Sequence, residues 1–100
     1  MDPFHEAAII LAHARGRYGG KYDRLDVRFR GALCYVDAYR DASPNPVHLV
    51  RLRFFGNEDR WTLAFFTYSH ERYEPCVFGN GSFHGTPEEA LDVGAVYLSD

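Results

Sequence analysis

Residues 25–39 read LDVRFRGALCYVDAY and residues 50–54 read VRLRF, and these two stretches decide the fold. Apolar side chains alternate there with charged or phenolic ones. An alternation with a period of two is typical of β-strands that bury one face. The pattern predicts strands over residues 25–30, 34–39 and 50–54, with the aliphatic side chains pointing into a common core.

Two more strands extend this sheet on its C-terminal side. Residues 61–68 are almost continuously apolar and aromatic, which is typical of a central strand covered on both faces. Residues 73–78 predict a short fifth strand, and Pro75 favours a position at the edge of the sheet. Connecting segments are expected at residues 41–46, 56–59 and 79–81, and a brief return strand at 82–84.

The N-terminal segment predicts a helix that ends at Gly16. Asp2 is suited to the N-cap and Pro3 to the first helical position. Apolar residues then recur with the spacing of one helical face. The residues expected to face the core are Phe4, Ala7, Ala8, Leu11 and Ala14.

A second helix is predicted close to the C-terminus. Thr86 as N-cap, Pro87 at the first helical position and Glu89 at the third form the signature of a capping box. The helix is expected to run to about Leu98 and to bury a narrow stripe, in which Gly94 allows a close approach to the sheet. The stripe consists of Leu91, Gly94, Ala95 and Leu98.

These elements predict one α+β domain over residues 1–100. Its centre is an antiparallel sheet of about five strands, flanked by an N-terminal and a C-terminal helix in the order α-β-β-β-β-β-α. Both helices are expected to pack on one face of the sheet. A chain of 100 residues is long enough to bury a core of its own.

Composition narrows the classes of function. Apolar residues make up 46% and charged residues 25%, which is typical of a globular protein. The formal net charge of -3 argues against a protein whose whole surface binds polyanions, and equally against an acidic mimic of DNA. Basic charge therefore has to be considered locally.

The sequence also predicts the compartment. It contains no positively charged start followed by an apolar stretch of roughly 7–15 residues, and no apolar run near about 18 residues. A cytoplasmic protein without contact to a membrane is expected. Cys34 and Cys76 are far apart in sequence, so both are expected to be free thiols.

No motif predicts catalysis, a metal or a cofactor. His5 and His13 are two helical turns apart, too far for one ion to bind both, and both are expected to face solvent. The glycines at 79, 81 and 85 precede Glu88 and Glu89, which would repel a bound phosphate. A thiol paired with His48, His70 or His84 is an alternative that sequence spacing leaves open.

The polar side of the sheet is the remaining candidate for function. Because side chains alternate along a strand, arginine and tyrosine side chains of the three predicted strands share the side opposite the helices. Both residue types dominate binding hot spots. The candidate partner-binding residues are Arg28, Arg30, Tyr35, Tyr39, Arg51 and Arg53.

A second basic cluster lies in the glycine-containing segment 15–24, which is expected to be a loop. Its glycines permit close approach of a phosphate to the backbone and to basic side chains. The candidate phosphate-contacting residues are Arg15, Arg17, Tyr18, Lys21 and Arg24.

Together these features favour a small non-enzymatic module that binds another protein through a sheet face or edge, as a regulator or inhibitor. Self-association into a homodimer through the aromatic strand region is left open. Nucleic-acid binding through the segment 15–24 and the arginine side of the sheet is the alternative, and an enzyme of unrecognised type is a third interpretation.

Overall fold

The structure, a computed structural model, describes residues 3–56, 60–67, 69–78 and 81–98. Two helices enclose a run of five strands. In chain order these are α1 Pro3–Tyr18, β1 Arg24–Arg30, β2 Leu33–Tyr39, β3 Val47–Phe54, β4 Trp61–Thr67, β5 Arg72–Cys76 and α2 Pro87–Gly94, followed by a 3₁₀ turn over Ala95–Leu98. The predicted order of elements and the α+β class are confirmed.

The strands form one open antiparallel sheet in which each strand pairs with the next along the chain. Both helices pack on the same face, α2 against β3 and β4, and α1 against β1 and α2. The other face carries no helix among the described residues, and we call it the open face. β5, which contains Pro75, lies at an edge of the sheet as predicted. None of the described helices has the length and apolarity needed to cross a membrane.

The predicted alternation holds through the middle of the sheet. Cys34 lies opposite Leu52 and Val36 opposite Val50, and all four side chains are buried under the helices. The alternation is interrupted once, because Val36 pairs with Val50 whereas the next residue, Asp37, pairs with His48. Leu49 is thus the extra residue of a β-bulge in β3. A bulge lets two consecutive residues point to the same side, and both Leu49 and Val50 are buried.

The strand over Trp61–Thr67 differs from its prediction. It was expected to be central and covered on both faces, but it is the fourth of five strands and only its inner face meets a helix. Its outer side is partly covered by neighbouring side chains, as when Phe66 packs on Tyr73 of β5. Sequence alone cannot distinguish side-chain cover from cover by another element. Tyr68 lies outside the described residues.

The segment after β5 also differs from its prediction. Residues 82–84 do not form a return strand, and only Gly85 makes an isolated antiparallel bridge to Trp61. A Cβ at Gly85 would lie 2.7 Å from the ring of Phe78, so a side chain there has no room. Residues 57–59 of the predicted turn at 56–59 and residues 79–80 of the turn at 79–81 are not among the described residues.

The helix α2 confirms its sequence signature. The Thr86 hydroxyl accepts from the Glu89 backbone N–H at 3.2 Å, and the Glu89 carboxylate accepts from the Thr86 backbone N–H at 3.0 Å. The helix then packs so closely on β3 that a Cβ at Gly94 would lie 2.7 Å from the carbonyl oxygen of Leu49. Only glycine at position 94 permits this approach.

The helix α1 is longer than predicted, and the face that it buries agrees only in part with the prediction: Ala14 is buried and Ala7 and Leu11 are partly buried, but Ala8 is exposed. It continues through Gly16 to Tyr18, so Arg15, Arg17 and Tyr18 lie on a helix and not in a loop. The buried residues are Glu6, Ile10 and Ala14, whereas Phe4 of the predicted face is 89% exposed. The reason is a polar contact with α2 that fixes both the rotation of α1 and its last turn.

That contact centres on Asp92 of α2. Its carboxylate accepts from Tyr18 Oη at 2.6 Å and from Arg17 at 3.2 Å, and His13 Nε2 lies 2.8 Å away. His13 is thus partly buried, not solvent-facing as predicted. Partial burial by itself raises the pKa of Asp92, but the hydrogen bonds from Tyr18 and His13 and the charges of His13 and Arg17 outweigh it and lower the pKa.

We expect Gly94→Ala to destabilise the fold by about 1–3 kcal/mol, the cost of overpacking against a backbone atom that cannot move, although alanine is the better helix former. Gly16→Ala is the matched control, because nothing lies within 4 Å of a Cβ there. The control should stabilise the protein by up to about 1 kcal/mol. Urea unfolding measures both, and a stabilising Gly94→Ala would contradict the packing described here.

Removing the carboxylate of Asp92 should weaken the contact between α1 and α2. Asp92→Asn is expected to cost about 1–2 kcal/mol at neutral pH, the value of a charged hydrogen bond reduced for partial exposure. Because the pKa of Asp92 is lowered on folding, its contribution is full above the ordinary value of 3.8 and is lost as the pH falls through the folded-state pKa.

The measurement is urea unfolding of both proteins between pH 7 and pH 2. The difference between native protein and Asp92→Asn should shrink below about pH 4. Asp41→Asn is the control, since Asp41 is 84% exposed and asparagine tolerates its positive φ of 56°. A difference that persists unchanged to pH 2 would contradict a role for the Asp92 charge.

Candidate functional site

The open face consists of side-chain rows that run across the strands. In one row Arg28, Tyr35, Arg51, Ala64 and Pro75 lie opposite one another from β1 to β5. The next row contains Arg30, Leu33, Arg53 and Thr62. Tyr39 lies opposite Arg24 in a third. The six residues predicted as partner-binding are therefore placed on one side of the sheet, opposite the helices.

A buried carboxylate organises one half of this face. Asp37, at 3% exposure, lies in the middle of β2 and accepts from Arg28 at 2.7 Å. His48 Nδ1 lies 2.8 Å from its other oxygen and donates to it, because an ionised carboxylate can only accept. The bulge at Leu49 brings His48 opposite Asp37. Arg28 is also paired with Asp26 at 3.2 Å.

Aromatic rings surround this carboxylate. The ring of Phe66 packs on the imidazole of His48 at 4.6 Å and on Tyr73 at 5.2 Å between centroids. Tyr73 in turn meets the edge of Tyr35 at 5.6 Å. Asp37 is thus buried beneath partly exposed groups, and Arg28, Tyr35, His48 and Tyr73 line a shallow depression of about 610 Å³ on this half of the open face.

The pKa values of this half reflect its burial and charge. Burial, and then the charge of Asp37, raise the pKa of Tyr73 to about 12. Burial works against the charge on Arg28, but Asp37 and Asp26 outweigh it and raise the pKa of the guanidinium. Arg28 thus stays charged and fixed, and Tyr73 stays a neutral phenol at physiological pH.

Arginine side chains on the open face lie over aromatic rings. Arg24 lies 4.2 Å from the ring centroid of Tyr39, Arg28 5.5 Å from that of Tyr35, and Arg51 5.3 Å from that of Tyr73. Arg53 lies 5.5 Å from the ring of Phe55. A guanidinium held over a ring loses little further freedom on binding, and its N–H groups can still donate to an acceptor.

The arginines differ in their anionic partners. Arg28 has two carboxylates. The other open-face arginines, which are Arg24, Arg30, Arg51 and Arg53, form no ion pair with a carboxylate anywhere in the described ranges. The open face therefore carries guanidinium charge that the rest of the described chain does not neutralise, despite the net charge of -3 of the whole protein.

The second predicted cluster, at 15–24, does not form a loop of basic residues. Arg17 and Tyr18 are engaged with Asp92, Arg15 is exposed on α1, and Arg24 lies on β1 over Tyr39. Lys21 is exposed and lines a polar depression together with Asp23 and Asp41. Those two carboxylates make this depression less suited to a phosphate.

Cys34 is not placed for activation by His48. Cys34 is fully buried on the helix-covered face, and burial together with the nearby buried carboxylate of Glu6 raises the pKa of its thiol to about 12. His48 is on the opposite face of the sheet, as its pairing with Asp37 requires. The Cys76 thiol donates to the carbonyl of Val77 at 3.3 Å, and both thiols are free.

The other titratable side chains of the described residues are not grouped as metal ligands. Within the described ranges, no three His, Cys, Asp or Glu side chains are close enough to hold a metal ion. His70 lies 3.1 Å from the carboxylate of Glu74, and His84 packs against Phe55. What the open face offers chemically is hydrogen-bond donation from fixed cations.

Sequence reasoning missed the pair formed by Asp37 and His48. Asp37 was assigned to the polar side of β2, but it is buried there, and its partner His48 comes from β3. His48 was left outside the predicted strand, since β3 begins at Val47 and not at residue 50. One signal was present: a carboxylate in the middle of an otherwise apolar and aromatic strand.

Comparison of the chain with protein-family models, with curated proteins and with solved structures finds no match. The function is therefore argued from the geometry of the open face.

Asp37→Asn is expected to lower the pKa of Tyr73 from about 12 part of the way to its ordinary value of 10. The shift should be partial because burial, the larger cause, remains. Tyrosine ¹³C NMR between pH 8 and pH 13 follows the phenol directly. Asp26→Asn, on the same face, is the matched control and should leave Tyr73 unchanged. An equal shift in both variants would contradict the specific coupling of Asp37 to Tyr73.

Proposed function

We propose that this protein is a small non-enzymatic interaction module that docks an acidic segment of another protein on its open sheet face and so regulates that partner. The observation that supports this most directly is the set of ring-supported guanidinium groups without a carboxylate partner among the described residues, at Arg24, Arg51 and Arg53. Guanidinium groups of this kind are suited to bidentate bonds with carboxylates.

Charge favours an acidic partner over a neutral one. An exposed arginine on a sheet face gains a partner at little desolvation cost, and charge complementarity steers the encounter and fixes the register. The support from rings reduces the side-chain entropy that binding would otherwise cost. An acidic protein segment therefore supplies carboxylates for the open-face arginines that have no carboxylate partner among the described residues.

Nucleic acid is the competing occupant. Single-stranded nucleic acid is bound chiefly by bases that stack on accessible aromatic faces. On this sheet the rings of Tyr39, Tyr35 and Tyr73 already lie beneath arginine side chains. The basic residues predicted to contact phosphate are also divided between a helix contact and the sheet. Both features favour the protein partner.

Binding can be tested with two defined probes of equal length, a 12-residue peptide of alternating Glu and Ser and a dT 12-mer. We expect the peptide to bind at low salt, and Arg30→Ala combined with Arg53→Ala to weaken it by about fivefold, corresponding to about 1 kcal/mol for two exposed ion pairs. Titration followed by NMR gives both the affinity and the location.

Arg15→Ala combined with Lys21→Ala removes the same charge from exposed positions on and just after α1, outside the strands of the open face, and is the matched control. It should change peptide affinity less than twofold. Equal losses in both double variants would overturn a specific open-face site. Tighter binding of dT, with an affinity that falls steeply as salt rises from about 50 to 200 mM, would favour the nucleic-acid interpretation.

A further inference from the structure

The half of the open face next to β5 contains a depression, which we call the notch. Its floor is formed by side chains that are small or short, Thr62 and Ala64 of β4 and Pro75 of β5. Arg51 and Arg53 bound it on the β3 side and Phe83 bounds it at the end of the sheet. Its volume is about 230 Å³. Drug-sized ligands occupy pockets of roughly 300–1,000 Å³, so the notch suits a single side chain.

The notch exists because its floor of small side chains is flanked by bulky aromatic side chains. Along β4 the side chains on the open face are those of Thr62, Ala64 and Phe66. Phe66 belongs to the aromatic packing beside Asp37, and the neighbouring open-face side chain, Ala64, already lies in the floor of the notch. On its other side the chain after β5 brings Phe83 to the rim. The resulting hollow lies between a packed aromatic cluster and an exposed phenylalanine.

Apolar side chains are unusually exposed around the notch. Phe83 is 69% exposed and Phe55 is 49% exposed. Phe55 lies beneath Arg53 and against His84, the residue after Phe83. Large apolar side chains grouped at the rim of a depression mark a site where another molecule is bound.

The charge around the notch specifies its occupant. Its two arginines, Arg51 and Arg53, have no carboxylate partner among the described residues, and none of the described residues that line the notch carries a carboxylate. Each guanidinium is held over a ring, Tyr73 on one side and Phe55 on the other. An apolar side chain in the notch would therefore have two fixed cations beside it.

We propose that the notch binds an apolar side chain, such as leucine, that is flanked by carboxylates in an acidic protein segment, with Arg51 and Arg53 binding those carboxylates. This rests on the proposed function and specifies the partner: acidic charge alone gives weak attachment, and the apolar anchor in the notch gives affinity and register. The site thus recognises a short sequence motif, an apolar residue flanked by acidic residues, and not negative charge alone.

The test compares the alternating Glu and Ser peptide with a peptide in which one central Ser is replaced by Leu. We expect the Leu peptide to bind about tenfold more tightly, as partial burial of its side chain predicts. The amide signals of Thr62 and Ala64 should shift with the Leu peptide and much less with the other one. Equal affinities of the two peptides would overturn the notch as an anchor site.

Two variants test whether the tighter binding of the Leu peptide arises at the notch. Ala64→Leu fills the notch and Phe83→Ala removes its wall, and each should abolish the preference for Leu, so that each variant binds the two peptides within about twofold of one another. Phe83 is exposed, so its replacement does not depend on core packing. Phe4→Ala is the matched control, since Phe4 is 89% exposed on α1 and should leave the preference intact.

The outcomes separate the two proposals. If neither peptide binds, the proposed function fails. If both bind equally, the docking of acidic segments stands and the notch proposal fails. If the preference for Leu survives in both Ala64→Leu and Phe83→Ala, the anchor binds elsewhere and the notch proposal is again wrong.

Discussion

The bulge at Leu49 is the constraint on which the two faces of the sheet jointly depend. It turns Leu49 and Val50 into the same core, and it presents the Leu49 carbonyl to α2 where only Gly94 leaves room. By shifting the register by one residue, the bulge also brings His48 to the open face opposite Asp37. Helix docking on one side and the buried carboxylate on the other are therefore consequences of a single extra residue.

Most of the fold was predictable from the sequence because its signals are local. A period of two in β1 and β2 and a capping box at Thr86 need no long-range information, and both strands and the start of α2 lie within about one residue of their predicted bounds. The α-helix ends at Gly94, and a 3₁₀ turn covers the rest of the predicted range to Leu98. The helix α1 was predicted, but its end and part of its buried face were not: its last turn contacts Asp92, and Phe4 is exposed. Apolar spacing alone could not show that Glu6 is buried or that the Tyr18 hydroxyl contacts Asp92.

The candidate site was predictable only in its outline. Alternation placed Arg28, Tyr35 and Arg51 on one side, and their register puts them in a single row. Which arginine is neutralised depends on the bulge and on aromatic cover from β4 and β5, and neither can be derived from periodicity. The notch was hidden for the same reason. The description of residues 61–68 as continuously apolar overlooked that Thr62 and Ala64 are small and lie on the open face.

The open face thus divides into two halves with different physical roles. Around Asp37 every strong charge has a partner and every ring has a neighbour, so this half behaves as a structural cluster that fixes Arg28 and Tyr73. From Ala64 to the end of the sheet there are fewer aromatic side chains, and this part of the face contains the notch. Arg51 and Arg53 have no carboxylate partner there among the described residues. Binding energy comes from groups that the folded chain leaves unsatisfied, because a group already paired must first lose its partner. Recognition is therefore to be sought at the notch, while the Asp37 cluster supplies the rigidity that keeps its arginines in place.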